Sequence, residues 1–124
     1  MSYTITPSAD GAYIVLKVEG EITGQLAVKQ NIEAHTLGNE LGITRYLVDV
    51  TASRNIGSVT DNYMFAYRDM KTTSVINKMA CVAILVSPED HSHDFIETVA
   101  RNAGLDTTIF RDRELAIQYL IEGL

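Results

Sequence analysis

The run Ala80-Cys81-Val82-Ala83-Ile84-Leu85-Val86 constrains the fold more than any other part of the chain. It is a strand-length stretch with no polar residue except Cys81, so it reads as a strand buried on both faces. A strand of that kind sits inside a parallel sheet with helices packed over it. The run is far too short to span a bilayer.

The segments around it alternate between strand and helix patterns. Tyr3 to Pro7 alternates and stops at a proline, the mark of an edge strand. After the Asp10-Gly11 turn, Ala12 to Glu19 reads as a strand with Ile14, Leu16 and Val18 on one face. The 20–24 stretch breaks that pattern and opens a helix to about Leu41, with Leu26, Ala34, Leu37 and Leu41 at helical spacing and Gly42 as its stop. A strand follows over 44–50. Ser58-Val59-Thr60-Asp61 is a capping-box pattern for a helix that reaches at least Met70. Residues 71–79 read equally as a helical tail or a loop. Ser87-Pro88-Glu89-Asp90 is a second capping signal, for a helix ending at Ala103-Gly104. Thr107 to Phe110 is a short strand. Asp112 starts a last helix with Leu115, Ala116, Tyr119 and Leu120 as its buried stripe, ended by Gly123. The order β-β-α-β-α-β-α-β-α makes a five-stranded, mostly parallel α/β sheet with an antiparallel edge strand and four helices.

Composition narrows the function. At 124 residues the chain makes one domain, residues 1–124, with room for a real core. A net charge of −6 with ten Lys plus Arg, and no three basic residues close together, argues against nucleic acid and against anionic membrane surfaces. One cysteine, Cys81, excludes an internal disulfide framework and fits a reducing compartment. The N-terminus has no signal-peptide pattern. A cytoplasmic protein with no cofactor is expected.

The stretch Arg45-Tyr46-Leu47-Val48-Asp49-Val50-Thr51-Ala52-Ser53 points to the working surface. It is an apolar strand that stops in a carboxylate and two hydroxyls, before the turn residues Asn55 and Gly57. In an open α/β sheet, partners and ligands meet the protein at the carboxyl ends of the strands.

The chain here resembles the STAS domains of anti-anti-sigma factors, the SpoIIAA-like fold. The residues that carry the likeness are Gly20-Glu21-Ile22 at the end of the second strand, Asp49-Val50-Thr51 at the end of the third, and Ala103 to Ala116 at the closing strand and helix start. The likeness covers nearly the whole chain. It implies a bacterial regulatory module without enzymatic activity, meeting a protein partner such as an anti-sigma or signalling protein; a homodimer stays open. In signalling members a serine two residues after the aspartate is phosphorylated, and Thr51 stands there in this chain. The following turn departs from the family: Ala52-Ser53-Arg54-Asn55-Ile56-Gly57 replaces a Ser-Ser-Gly-Leu-Gly-type sequence. In that respect the chain is similar to SpoIIAA-like proteins related in fold to CRAL-TRIO lipid-binding domains, which implies an apolar ligand or a membrane-proximal role as the alternative.

Two candidate surfaces follow. In the first, Asp49, Thr51 and Ser53 face a partner together with Met64 and Phe65. At about 100° per residue, Val59, Tyr63, Ala66, Tyr67 and Met70 form the inward stripe of their helix, which leaves Phe65 outward and Met64 at the margin. The plainer readings are that Asp49 and Thr51 only close a turn, and that Phe65 packs under the 71–79 segment. In the second, an apolar ligand lies between that helix, the 87–103 helix and the strand ends, lined by Tyr63, Tyr67, Met70 and Phe95, with Lys71 to Ser74 as a hinge. His91 and His93 beside Glu89 and Asp90 have the wrong spacing for a helical metal site, and His35 is remote in sequence. Cys81 reads as a core residue with a raised pKa. No acid, base and nucleophile converge.

Overall fold

The computed structural model describes residues 1–70 and 72–122, with backbone alone at Val59, Tyr63, Ala66, Tyr67 and Asp69. The strands are β1 (Ser2–Pro7), β2 (Ile14–Ile22), β3 (Arg45–Asn55), β4 (Cys81–Leu85) and β5 (Asp106–Phe110). They form one sheet in the order β1-β2-β3-β4-β5, with β1 antiparallel to β2 and every other pair parallel. This is the expected five-stranded α/β sheet with its antiparallel edge.

Because the parallel strands are added in sequence order in one direction, right-handed crossovers put all their connecting helices on the same face. Those helices are α1 (Gly24–Leu41), α2 (Val59–Met64) continuing into a π-helical segment (Phe65–Met70), and α3 (Asp94–Asn102). They cover Leu16, Val18, Val50 and Ile84. The helix after the last strand, α4 (Arg113–Glu122), is free of that constraint and takes the opposite face. There Ala116 and Leu120 close over Leu47, Ala83 and Leu85. The central run is thus covered on both sides, as its composition requires. Leu115, expected in the buried stripe of α4, is 55% exposed, because Ala116 and Leu120 set the inward direction and Leu115 lies about 100° around the helix from Ala116; Asp112 caps the helix by accepting from the amides of Glu114 and Leu115. Gly123 lies outside the described residues.

Local chemistry sets the helix ends. Thr23 caps α1 by accepting from the Leu26 amide, and Gly42 ends it in the left-handed conformation at φ 71°. Ser58 caps α2 by accepting from the Asp61 amide. Inside α1, Gly38 is required by close approach, because a Cβ there would lie 2.1 Å from the Tyr46 hydroxyl oxygen. Tyr46 in turn stacks on His35, with ring centroids 4.2 Å apart.

The second capping signal is not used as one. α3 begins at Asp94 rather than at Pro88, and His93 at its N-cap makes no side-chain capping bond. The Ser87 hydroxyl donates instead to the Thr51 carbonyl at 2.8 Å, tying the 87–93 turns to β3. Residues 72–80 are mostly turn. Ile76 is buried there and the Asn77 amide donates to His35 Nδ1 at 3.0 Å, so the segment following the expected hinge is pinned.

Candidate functional site

β3 does not stop at residue 50. It continues to Asn55 because β2 is also long and pairs with it as far as Ile22 opposite Asn55. Between the two pairs Lys17 opposite Asp49 and Glu19 opposite Ala52, β3 carries one residue more than β2, a β-bulge. β4 ends at the same level, with Leu85 opposite Asp49. Asp49 is therefore the last residue of β3 with a strand on each side, and Thr51 sits in the bulge. Bulges re-aim side chains, and this one does so.

Asp49 is 2% exposed. One carboxylate oxygen accepts from the Thr51 amide at 3.1 Å and from the Thr51 hydroxyl at 2.7 Å. The other accepts from the Arg113 guanidinium at the start of α4, at 2.6 Å. Burial pushes the Asp49 carboxyl up, but the Arg113 bond and the two Thr51 bonds outweigh it and hold it below the usual carboxylate range. The carboxylate is ionised and both oxygens are engaged. Thr51 itself is exposed, and its carbonyl takes the Ser87 hydroxyl.

Ser53 does not join this group. Strict alternation would put 49, 51 and 53 on one face, but the extra residue flips the phase, as a one-residue slip must. Ser53 is buried, and His93 Nε2 lies 3.4 Å from its carbonyl oxygen.

Phe65 also lies elsewhere than expected. In a π-helix residues five apart are bonded and lie on one face, whereas in an α-helix they point about 140° apart. Phe65 and Met70, the first and last residues of the π segment, thus both reach the helix-side interior. Phe65 packs against the cluster containing Leu16 and Val18. Met64 is half-buried on α2. Of the first candidate surface, the structure brings Asp49 and Thr51 into contact, with Arg113 and Ser87 beside them as residues that sequence reading missed. No local pattern marks Arg113, which is brought to Asp49 from 64 positions away.

The second candidate region contains a cavity of about 100 Å³ between the sheet and α1, the π segment and α3. Val18, Val50, Phe65, Met70 and Ile96 are among its walls. Phe95 is not; it is 40% exposed on the outside of α3. The side chains of Tyr63 and Tyr67 lie outside the described residues, as does Lys71 of the expected hinge.

His91 and His93 diverge. His91 Nδ1 lies 2.8 Å from Asp94 Oδ2 on the surface, where Arg111 also meets Asp94. His93 is buried. His35 accepts from Asn77, on the helix side of the sheet and away from Asp49. Burial raises the Cys81 thiol, against the weaker effects of the Tyr119 bond and the Arg45 charge.

The architecture matches a known structure. An anti-sigma factor antagonist, SpoIIAA in its unphosphorylated form, superposes with a TM-score of 0.55 at 15% identity, covering 99% of this chain and 98% of that one. The fold is SpoIIAA-like. A structure of an uncharacterised protein from Shewanella loihica PV-4, itself described as having a SpoIIAA-like fold, matches with a TM-score of 0.47 at 20% identity over 96% of this chain and 92% of that one. No family model matches the chain, and no curated protein does. Within the SpoIIAA-like fold, the bulge of β3 and the start of α4 meet at Asp49. Among the described residues no helix is long and apolar enough to cross a membrane.

Proposed function

We propose that the chain is a non-enzymatic, STAS-like protein-interaction module of the bacterial cytoplasm, with a docking surface centred on Thr51. One observation carries the reading: an exposed hydroxyl is held by a buried carboxylate, which is itself held by a half-exposed arginine. A hydroxyl fixed in this way offers a partner a defined direction at the strand ends, where such folds meet their ligands. It is also in a suitable setting for phosphorylation by a protein kinase. The Thr51 oxygen would attack the terminal phosphorus of a nucleoside triphosphate, the nucleoside diphosphate would leave, and the hydroxyl proton would pass to the kinase's own catalytic carboxylate. The phosphate would add about −1.5 to −2 charge beside Asp49, whose other oxygen holds the Arg113 guanidinium. Catalysis by the chain itself has no comparable support, since neither His35 nor His91 approaches Asp49.

The test is quantitative co-purification from the native host with wild type, Thr51→Ala and Thr51→Asp. A regulatory partner retained by wild type and lost with Thr51→Asp is expected. Identical partner profiles for all three would overturn the reading.

The cavity favours a second reading, a small apolar ligand held on the helix side of the sheet. Native mass spectrometry of protein from its own host, with solvent extraction, tests it. A co-purifying apolar species is expected, and bare protein throughout would contradict it.

A further inference from the structure

We infer that the cavity takes a small neutral molecule carrying one hydrogen-bond donor, and that Gln30 is the group that accepts from it. The inference rests on the apolar-ligand reading above and adds the chemistry of the ligand.

Size comes first. A cavity of about 100 Å³ is somewhat smaller than the roughly 150 Å³ engineered cavity that admits benzene. A single-ring body fits that scale, and a long acyl chain does not. Charge comes next. No lysine or arginine is among the described residues lining the cavity, so a carboxylate or phosphate would have no counter-ion there. Among the described residues Asp106 is the only lining carboxylate, and it is exposed and accepts from the Tyr119 hydroxyl. The two lining histidines give no positive charge at neutral pH: burial pushes both down, His35 to about 4 with help from the Lys78 charge.

The polar anchor is Gln30 on α1. It is 1% exposed and lines the cavity, and among the described residues no group donates to its Oε1. Its Nε2 already donates to the Met1 sulfur at 3.1 Å, which leaves the acceptor end unmet. The neighbouring amides are engaged: Asn31 donates to the Ala27 carbonyl, and Asn55 donates to Asn62. A buried acceptor left open is costly, so a ligand hydroxyl or amine gains by meeting it. Phe65 and Met70 line the cavity from the two ends of the π segment, a rare helical form that recurs at functional sites.

Toluene and phenol, titrated calorimetrically into the full chain, separate the possibilities. In a purely apolar cavity toluene binds tighter, because the phenol hydroxyl must leave water unpaired. Here phenol is expected to bind tighter by about threefold to tenfold. Gln30→Met, which keeps the length and removes the acceptor, is expected to reverse the order. If toluene binds and phenol binds no tighter, or if the order persists in Gln30→Met, the assignment of Gln30 is overturned while the apolar-ligand reading stands. If neither probe binds, both fall, with the cavity holding water only. Should Gln30→Met fail to fold, the phenol-to-toluene ratio on the unaltered chain decides the matter alone.

Discussion

At the scale of single residues, Asp49 shows how a buried charge is tolerated when both of its oxygens are hydrogen-bonded. Its oxygens divide between Thr51 and Arg113, and neither partner substitutes for the other. Removing Arg113 leaves a carboxylate shielded from water and half-paired, which is worse than removing the charge itself. Arg113→Met is therefore expected to destabilise by about 1–3 kcal/mol at pH 7, and Asp49→Asn by less, measured as urea midpoints at constant m. Equal losses would contradict the asymmetry. His35 supplies a pH dependence. It is 2% exposed, and burial, followed by the Lys78 charge, lowers its pKa from 6.5 to about 4. Between those values the unfolded chain binds a proton that the folded chain does not. The stabilisation is thus complete above about pH 6.5 and is lost as pH falls through about 4, up to about 3 kcal/mol. His35→Phe keeps an aromatic ring against Tyr46 and removes the titration. The fall in urea midpoint from pH 7 to pH 4 is expected to be smaller in that variant; an unchanged fall would assign the effect to other groups.

At the scale of elements, the parts legible in sequence are those written in composition and period. The double-sided run of β4, the alternation of β2, Gly42 at the end of α1 and the Ser58 cap all stand where their chemistry puts them. What escaped were shifts of phase. The bulge near Thr51 and the π segment from Phe65 each insert part of a period without any diagnostic residue, and each redirects a candidate side chain: Ser53 inward in one case, Phe65 inward in the other. Ser87 escaped for a different reason. A hydroxyl before a proline fits a local cap and a distant carbonyl equally well, and only the tertiary fold brings the Thr51 carbonyl within reach. The π segment has a direct consequence. Phe65→Ala is expected to cost about 2–4 kcal/mol, since it empties a side chain packed in the core. An outward Phe65 would lose under about 0.5 kcal/mol on the same substitution, as surface positions do. Thermal or urea unfolding distinguishes the two.

At the scale of the whole molecule, the sheet is dressed unevenly. Three connecting helices and the π segment share one face, where the cavity lies, and α4 alone packs on the other, where Arg113 reaches Asp49. The cavity of the apolar-ligand reading and the strand-end group of the docking reading thus lie on opposite faces of the sheet. The docking surface is the central proposal, and hydrogen exchange by mass spectrometry, on the chain with and without the partner recovered from its host, tests it most directly. Added protection is expected over residues 49–53, 87–91 and 111–115, diminished in Thr51→Asp. Protection confined to β1, to the exposed side of α1 or to the α2 region, with residues 49–53 unchanged, would contradict it.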